Sequence, residues 1–413
     1  MESLKSVKSD NNMFVIDSNE ALEFKFVRTA EDVHDDKCIF KPDLSHQVFG
    51  ESETIFGYKN LKIKIYYSAG RLNTYVAVEY DEKVNPNKAD GLKPDPILQA
   101  LEEVIPSGYT QNLDDFIASL SKEATFKPFG TLLQKFTTNM HGKDREYEVY
   151  LVDTTTKDFI AYFKRLQTFV MWYIDAASFL DHDDESWRYF LVFEKYKNDD
   201  NQDAYAVVGF ATVFEYYAYP ENIRPRISQI LVFPPFKNQS IGAHLYNAIN
   251  KHYRVNSKVT DITVETPSED FQRVRDYVDV SYCSTLESYK PDKIQQGFNQ
   301  NMIQQANKVY KINPKQARKA YEILRLNSTN QADKAQYQSY RLDVKKRLNV
   351  PFQKEVASLK KLQSKMNSSE LQAALNLTSS EKRIERLDQD YKKLEEEYRR
   401  ILDRFHTKPM QPT

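Results

Sequence analysis

The run from Arg226 to Gly242, RISQILVFPPFKNQSIG, combines residue types and spacing that indicate chemistry. An apolar strand stops at Pro234-Pro235, and a short loop carrying Lys237 opens a helix with Gly242 in its first turn. The first N–H groups of a helix lack intrahelical acceptors, and the helix dipole favours negative charge there. The segment therefore suits a phosphate or pyrophosphate group, with Lys237 as a point charge. Because one glycine and one lysine in a loop are common, an ordinary connecting loop remains the alternative.

Two carboxylates are candidates for proton transfer. Glu265 ends the predicted strand DITVE, and Asp175 lies in an aromatic segment with helical spacing. A carboxylate whose surroundings raise its pKa can act as a general base. From the residues alone, Glu265 could equally be a surface acid at a strand end, and Asp175 could cap a helix or pair with a basic side chain.

Periodicity predicts the elements that would position these residues. Alternating apolar residues predict strands or hairpins, and apolar residues at spacings of three and four predict helices. The segments are a hairpin over Leu61 to Tyr80, a strand over Arg145 to Val152, helices over Thr156 to Phe179, a hairpin of Tyr189 to Tyr196 with Tyr205 to Tyr217, a strand over Arg226 to Phe233, a helix over Gln239 to Tyr253 and a strand over Asp261 to Glu265. This order is typical of an α/β layer.

Composition excludes several classes of protein and site. The chain has 413 residues with 58 basic and 59 acidic side chains, so its net charge of −1 gives no global attraction to nucleic acid or anionic membranes. Two cysteines exclude a disulfide framework and a four-cysteine zinc site, and the seven scattered histidines predict no metal site. No apolar run is long enough to span a membrane, and the signatures GxxxxGK, GxSxG and HExxH are absent.

The last part of the chain is charged and helical. Apolar residues recur at alternating spacings of three and four, at Ile384, Leu387, Tyr391, Leu394, Tyr398, Ile401 and Phe405. This heptad pattern predicts a coiled-coil or helix-docking seam. Packing on the rest of the same chain and pairing with a second chain both remain open.

Separated blocks of the chain resemble a known family in the same order. The blocks are HQVFGESETIFGYKNLKI, KPFGTLLQKF, RLQTFVMWYIDAASF, YFLVFEKY, RPRISQILV, KINPKQARKAYEILRL and YRLDVKKRL. They are similar to the type B histone acetyltransferases, and the 226–242 segment resembles the acetyl-CoA motif of the GNAT superfamily. The resemblance implies an α/β GNAT acyltransferase fold with a mixed α+β N-terminal domain and a helical C-terminal extension. The predicted domains are 1–125, binding substrate; 126–258, binding acetyl-CoA; 259–350, helical and completing the active site; and 351–413, a charged helical or coiled-coil tail.

The resemblance implies acetyl-CoA as cosubstrate and assigns its contacts. Main-chain groups of Ile230, Leu231 and Val232 would hold the pantetheine and orient the thioester. The pyrophosphate would be wrapped by Lys237, Asn238, Gln239, Ser240, Ile241 and Gly242. The family usually has Gln at position 237 and Gly at position 240, so Lys237 and Ser240 predict an altered cofactor affinity, and loss of activity is a further possibility that they raise.

The catalytic roles are likewise implied by the resemblance. Glu265 matches the principal general base, and Asp175 matches a second carboxylate that is usually Glu. The lysine amine would attack the thioester directly in a ternary complex, since neither cysteine matches a nucleophile position. Thr266 stands where family members usually have Asp.

The substrate implied is the N-terminal tail of free, newly made histone H4. Glu51 and Glu53 match positions that contact the tail, and Trp187, Phe214, Glu215 and Tyr216 match the lining around the incoming lysine. Asp181, Asp183, Asp184 and Glu185 could add to this groove or form only a solvated loop. A WD40-repeat histone chaperone is the implied partner, without direct nucleic-acid binding, in nucleus and cytoplasm. Two alternatives stay open: a histone-binding adaptor that has lost the chemistry, and a GNAT enzyme that acts on small amines.

Overall fold

The computed structural model describes residues 14–88, 91–140, 142–362, 380–408 and 410. The chain divides into two compact units. The first comprises Met1–Tyr217 and Pro225–His252, and the second comprises Ala218–Arg224 and Tyr253–Thr413.

The first unit begins with small sheets and short helices. A three-stranded sheet has the order β2-β5-β6, with β2 parallel to β5 and β5 antiparallel to β6. Its strands are β2 (Leu22–Val27), β5 (Lys62–Ser68) and β6 (Thr74–Glu79), so the predicted hairpin over Leu61 to Tyr80 is confirmed. Two further pairs are β1 (Val15–Asp17) with β3 (Thr54–Phe56), and β4 (Tyr58–Lys59) with β7 (Glu82–Lys83). The helices are α1 (Ser18–Ala21), α2 (His46–Phe49), α3 (Ile97–Glu102) and α4 (Leu113–Ser119).

The β5–β6 turn is fixed by one buried carboxylate. Glu123 accepts hydrogen bonds from the Ser68 hydroxyl at 2.8 Å and from the Gly70 N–H at 2.7 Å. Burial raises the pKa of Glu123, against these bonds, which lower it. The Ala69 carbonyl accepts from the Val207 N–H at 2.8 Å. This turn therefore docks the small N-terminal sheet on the main sheet.

The main sheet carries the candidate cofactor segment. Its strands in this unit lie in the order β8-β9-β10-β11-β12, and β8 to β11 pair antiparallel. They are β8 (Thr131–Met140), β9 (Lys143–Asp153), β10 (Trp187–Lys197), β11 (Asp203–Ala218) and β12 (Asn222–Val232). Helices α5 (Phe159–Leu166) and α6 (Val170–Tyr173) follow β9, and α7 (Ile241–Arg254) follows β12. The strands and hairpin predicted here are confirmed.

The helical region after β9 is shorter than the sequence predicts. A 3₁₀ turn, Gln167–Phe169, joins α5 to α6, and helix ends at Tyr173 instead of continuing to Phe179. Ile174 is extended, and Ala176 has a left-handed φ of 53°. The buried aromatic residues that hold the helices stop before this point, and residues 174–180 are exposed or half-buried, so no buried face continues the helix. Asp175 consequently lies in a turn and not on a helix.

The second unit is mainly helical. In its first segment, Ala218–Arg224, Ile223 forms a parallel bridge with Val259. The strand β13 (Thr263–Val264) is shorter than the predicted DITVE strand. The helices that follow are α8 (Glu269–Cys283), α9 (Pro291–Ile294), α10 (Gln300–Tyr310), α11 (Pro314–Ser328), α12 (Lys334–Leu348), α13 (Val350–Leu362) and α14 (Ser380–Thr407).

The heptad helix α14 packs on its own chain. Leu387, Tyr391, Tyr398 and Ile401 are buried, whereas Ile384 is 62% exposed. The Tyr398 hydroxyl donates to Glu322 on α11 at 2.9 Å, and Lys345 on α12 pairs with Asp388 at 2.6 Å. Of the two alternatives, the intramolecular seam is therefore the one that the structure shows. Within the described ranges, no helix has the length and apolar character needed to cross a bilayer.

Candidate active site

The β12–α7 connection has the predicted strand–loop–helix form. A 3₁₀ turn, Pro234–Phe236, follows the strand, and Lys237 donates its N–H to the Pro234 carbonyl at 3.2 Å. The Ser240 carbonyl accepts from the N–H groups of Ala243 at 3.0 Å and His244 at 3.1 Å, so the helix begins at Ile241. The N–H groups of Ile241 and Gly242 belong to its first turn, where helices lack intrahelical acceptors. An anionic group is favoured at this end of α7.

Two residues of this loop have a backbone conformation that favours glycine. Asn238 and Ser240 have φ values of 65° and 63°, in the left-handed region. Asparagine tolerates this region better than most residues, whereas serine carries a Cβ without that compensation. Ser240 is therefore a strained position at the start of the helix.

Replacing Ser240 with Gly is expected to relieve this strain. The free energy of unfolding should rise by about 0.5–1 kcal/mol, because glycine adopts positive φ without steric cost. The affinity for CoA should not fall. Urea unfolding and calorimetric titration with CoA measure the two quantities, and Ser121→Gly, in the 3₁₀ stretch Leu120–Thr125, is the control. A stability loss in Ser240→Gly equal to that of the control would contradict this account.

Gln239 is turned inward and anchors the loop. Its side chain is 8% exposed, its Oε1 accepts from the Tyr147 hydroxyl at 2.8 Å, and its amide donates to the Pro235 carbonyl at 3.3 Å. The loop is thus fixed to β9 by a side chain. Only the main chain of Gln239 is left to contact a cofactor.

On β12, alternate residues direct their main-chain groups to opposite sides. Gln229 donates its N–H to the Thr212 hydroxyl at 3.1 Å and Phe233 donates to the Val208 carbonyl at 3.0 Å, so both face β11. Because this direction alternates along a strand, the N–H and C=O groups of Ile230 and Val232 point away from β11. Leu231 by the same alternation faces β11. Ile230 and Val232 are therefore the better placed of the predicted pantetheine contacts.

Gly209 on β11 permits a close approach to this part of β12. A Cβ at that position would lie 2.4 Å from the Leu231 carbonyl oxygen and 3.0 Å from the Val232 Cα. Both neighbours are backbone atoms and cannot rotate away.

Gly209→Ala is accordingly expected to displace β12. Overpacking of this kind costs roughly 1–3 kcal/mol, and the affinity for CoA should fall with it. Thermal unfolding and CoA titration check both effects. Gly142→Ala serves as the control because it has open space at the Cβ, although its own φ of 78° adds some strain. Equal CoA affinity in Gly209→Ala and the unmodified chain would count against a cofactor role for this strand.

Lys237 does not extend over its own loop. Its Nζ lies 3.1 Å from Oδ2 of Asp43 and 5.7 Å from the ring centre of Tyr173. No local pattern predicts this pairing, since the two residues are separated by 194 positions.

The predicted lysine-lining residues lie together at one end of β10 and β11. Trp187 and Phe214 are cross-strand partners with ring centres 4.9 Å apart, and Phe214 is 4.6 Å from Tyr216. Glu215 forms an ion pair with Arg188 at 3.0 Å. The cluster presents an aromatic wall beside a carboxylate whose charge is already compensated by Arg188.

Glu53 has a structural role that the sequence did not indicate. Its Oε1 accepts from the N–H groups of Ser45 at 2.7 Å and His46 at 3.1 Å, and its Oε2 accepts from the Asn19 amide at 2.9 Å. The bond from Ser45 is the largest cause that lowers the pKa of Glu53. Glu53 therefore holds the start of α2, whereas Glu51 is simply exposed.

His46 connects two of the predicted site residues. Its Nε2 lies 3.2 Å from Oδ1 of Asp175, and its Nδ1 lies 3.6 Å from Oε1 of Glu53. The Asp175 side chain is 80% exposed, so this contact is its main restraint. Sequence reasoning missed His46, because nothing local links it to position 175.

Two carboxylates of the acidic run before Trp187 accept hydrogen bonds from backbone N–H groups within turns. Asp181 accepts from the Asp183 N–H at 3.1 Å, and Asp184 accepts from the Ser186 N–H at 2.8 Å. The bond from Ser186 lowers the pKa of Asp184. These two contacts favour the solvated-loop alternative for Asp181 and Asp184.

Glu265 lies in the second unit, immediately after β13. It is exposed, and it precedes Thr266, whose φ is 31°, and Pro267. Its place at a strand end matches the sequence-based expectation, and its catalytic role stays a prediction. Among the described residues, no group of three or more His, Cys, Asp or Glu side chains could hold a metal ion.

Comparison with known proteins decides the family. The human histone acetyltransferase type B catalytic subunit is 43% identical over 390 residues, covering 94% of this chain and 93% of its own length. The chain belongs to this family. A Dictyostelium discoideum histone acetyltransferase type B catalytic subunit is 29% identical, covering 96% of this chain and 97% of its own. Residues 14–175 match the family model "Histone acetyl transferase HAT1 N-terminus", and residues 275–326 match "Histone acetyltransferase type B catalytic subunit, C-terminal".

A solved aminoglycoside acetyltransferase from an uncultured soil metagenomic sample is also similar. It is 18% identical with a TM-score of 0.23, covering 30% of this chain and 80% of that one.

As a member of this family, the chain is a histone acetyltransferase. The predicted α/β architecture, with a mixed N-terminal part and a helical C-terminal extension, is confirmed. Acetyltransferases of this family use acetyl-CoA as cosubstrate. The first turn of α7 and the outward main-chain groups of β12 fit such a molecule, which carries a pyrophosphate and amide groups.

Proposed function

We propose that the chain moves acetyl from acetyl-CoA to a lysine in the N-terminal tail of free, newly synthesised histone H4. The observation that carries the proposal is the β12–α7 segment, where the main-chain groups of Ile230 and Val232 point away from β11 and α7 begins with an anion-favouring turn. A WD40-repeat histone chaperone is the proposed partner. Nucleus and cytoplasm are the proposed locations.

The proposed reaction is direct attack in a ternary complex. A lysine with a pKa of about 10.4 is charged at pH 7, so its deprotonation costs roughly 4–5 kcal/mol. Glu265 is the proposed general base that takes this proton. The free amine then attacks the thioester carbonyl and an N–C bond forms, the C–S bond breaks to release the CoA thiolate, and the proton that the attacking nitrogen loses is taken up by this thiolate.

The main chain supplies the binding contacts in this proposal. Ile230 and Val232 hold the pantetheine amides, and the N–H groups of Ile241 and Gly242 receive the pyrophosphate. The aromatic wall of Trp187, Phe214 and Tyr216 accommodates the methylenes of the incoming lysine. Asp175 is proposed as a second carboxylate near that lysine.

Glu51→Lys separates a peptide substrate from a small amine. An exposed carboxylate that attracts a basic tail should give a KM for an H4 tail peptide several-fold higher after the change, with weaker salt dependence. Spermidine acetylation should be unaffected. Steady-state kinetics at two salt concentrations measure this, and Glu102→Lys is the control. An unchanged KM for the peptide would favour the small-amine alternative. Glu53→Lys is unsuitable, since it removes the acceptor for three N–H donors.

His46→Ala tests the second carboxylate. Losing the contact at 3.2 Å frees the exposed Asp175 side chain, and kcat should fall about 3- to 10-fold, in line with a positioning effect. His46→Gln, which keeps one amide donor, should recover part of the rate. Peptide acetylation kinetics on both variants provide the measurement. Equal kcat for both variants and the unmodified chain would remove Asp175 from the reaction.

The histone-binding adaptor is kept as a second candidate because Asp175 is exposed and already contacts His46, and because Ser240 is strained. It predicts H4 peptide binding without acetyl transfer. Transfer of radiolabel from acetyl-CoA to the peptide, absent in Glu265→Gln, would eliminate it.

A further inference from the structure

Lys237 is the cation of the proposed pyrophosphate loop, but its charge is already partnered. Its ammonium lies 3.1 Å from Asp43, and both side chains are about half exposed. The same ammonium lies 5.7 Å from the centre of the Tyr173 ring. Asp43 is its only ion-pair partner among the described residues.

Asp43 is held in place by main-chain contacts to the end of α6. Its N–H donates to the Trp172 carbonyl at 3.0 Å, and the N–H of Leu44 donates to the same oxygen at 3.2 Å. The Tyr173 hydroxyl donates to the Lys41 carbonyl at 2.8 Å. The carboxylate is therefore presented to Lys237 by a fixed segment and not by a free loop.

One ammonium cannot give its full attraction to two anions at once. A phosphate oxygen entering the loop meets a lysine that is already neutralised, so binding must exchange one partner for the other. An exposed ion pair is weak, so a phosphate can displace Asp43 from Lys237. Breaking the ion pair still lowers the affinity for the phosphate by a measurable amount. A lysine without an acidic partner would bind the same phosphate more tightly.

We propose that Asp43 is a positioning residue that sets the affinity for acetyl-CoA and CoA by competing with their phosphates for Lys237. The inference rests on the proposed function, because it takes residues 237–242 as the pyrophosphate loop. Its consequence is that the charge of Lys237 adds little to cofactor binding in the unmodified chain. Asp43 thereby favours release of the CoA product.

The test is calorimetric titration of the full-length chain with CoA. Asp43→Asn should lower the dissociation constant about 2- to 5-fold, the range expected for one exposed pair. The dependence of that constant on salt should become steeper, because an uncompensated cation now contributes. Asp36→Asn makes the same charge change at an exposed residue of the same region and should leave the affinity unchanged.

The double variant provides the decisive comparison. In a Lys237→Gln background, Asp43→Asn should give less than half of its gain, since no ammonium remains to be released. An unchanged or weaker CoA affinity in Asp43→Asn would overturn the inference, and so would an equal gain in both backgrounds. If the unmodified chain did not bind CoA, the proposed function itself would fail and this inference with it. If the unmodified chain bound CoA but Asp43→Asn did not lower the dissociation constant, this inference would be overturned and the proposed function would stand.

Discussion

Glu265→Gln is expected to lower kcat/KM for acetylation of an H4 tail peptide by about 10²- to 10⁴-fold, the usual contribution of a general base. The amide cannot accept the lysine proton, so the amine stays charged and cannot attack the thioester. The affinity for CoA should stay within about twofold, since the proposed cofactor contacts are main-chain groups elsewhere. Transfer of radiolabel from acetyl-CoA to the peptide, quenched at set times, measures kcat/KM. Titration with CoA measures the affinity separately.

The matched control for this prediction is Glu269→Gln. Glu269 is an exposed carboxylate four residues further along, in the first turn of α8, where it lies 3.5 Å from Lys393. Its loss should change the rate by less than about twofold, as expected for an exposed pair. If Glu265→Gln kept more than half of the original rate, another group would have to be the base.

Glu322→Ala is expected to lower the free energy of unfolding by about 3–5 kcal/mol, the cost of leaving buried charges without a partner. Glu322 on α11 is fully buried and accepts from Arg318 at 2.8 Å, Arg347 at 2.7 Å and the Tyr398 hydroxyl at 2.9 Å. Its removal takes the carboxylate away from Arg347, leaves Arg318 with Asp343 as its acidic partner, and breaks the contact that fixes α14. Urea unfolding followed by circular dichroism gives the change.

Glu385→Ala is the control on α14, because this exposed residue should change stability by less than about 0.5 kcal/mol. Limited proteolysis should also release α14 earlier in Glu322→Ala than in the control. A loss below 1 kcal/mol would mean that the arginines find other partners and that Glu322 does not organise the helical unit.

Local patterns predicted much of the fold. Alternation located β5, β6 and β9 to β12, because a strand with one buried face repeats every two residues. The strand–loop–helix around Lys237 could also be predicted, since Pro234-Pro235 stops the strand and α7 has a clear apolar face. The end of α6 could not be predicted from the sequence. Apolar and aromatic residues continue from Tyr162 past Tyr173, and only tertiary packing distinguishes the buried ones from the exposed ones.

The contacts that shape the candidate site are long-range and lay outside the reach of sequence reasoning. Asp43 meets Lys237, and His46 meets Asp175, although no local spacing connects either pair. Glu53 matches a position predicted to contact the substrate tail, but its carboxylate also accepts hydrogen bonds from backbone N–H groups. These bonds are visible only in the folded turn. The heptad of α14 allowed two kinds of packing, and the Tyr398–Glu322 bond selects one.

The most direct measurement is mass spectrometry of an H4 tail peptide after incubation of the full-length chain with acetyl-CoA. The account predicts a gain of one acetyl group on a lysine, at a rate that saturates with both substrates in a sequential pattern. A peptide that binds but stays unmodified, or acetylation confined to spermidine in the same assay, would contradict it.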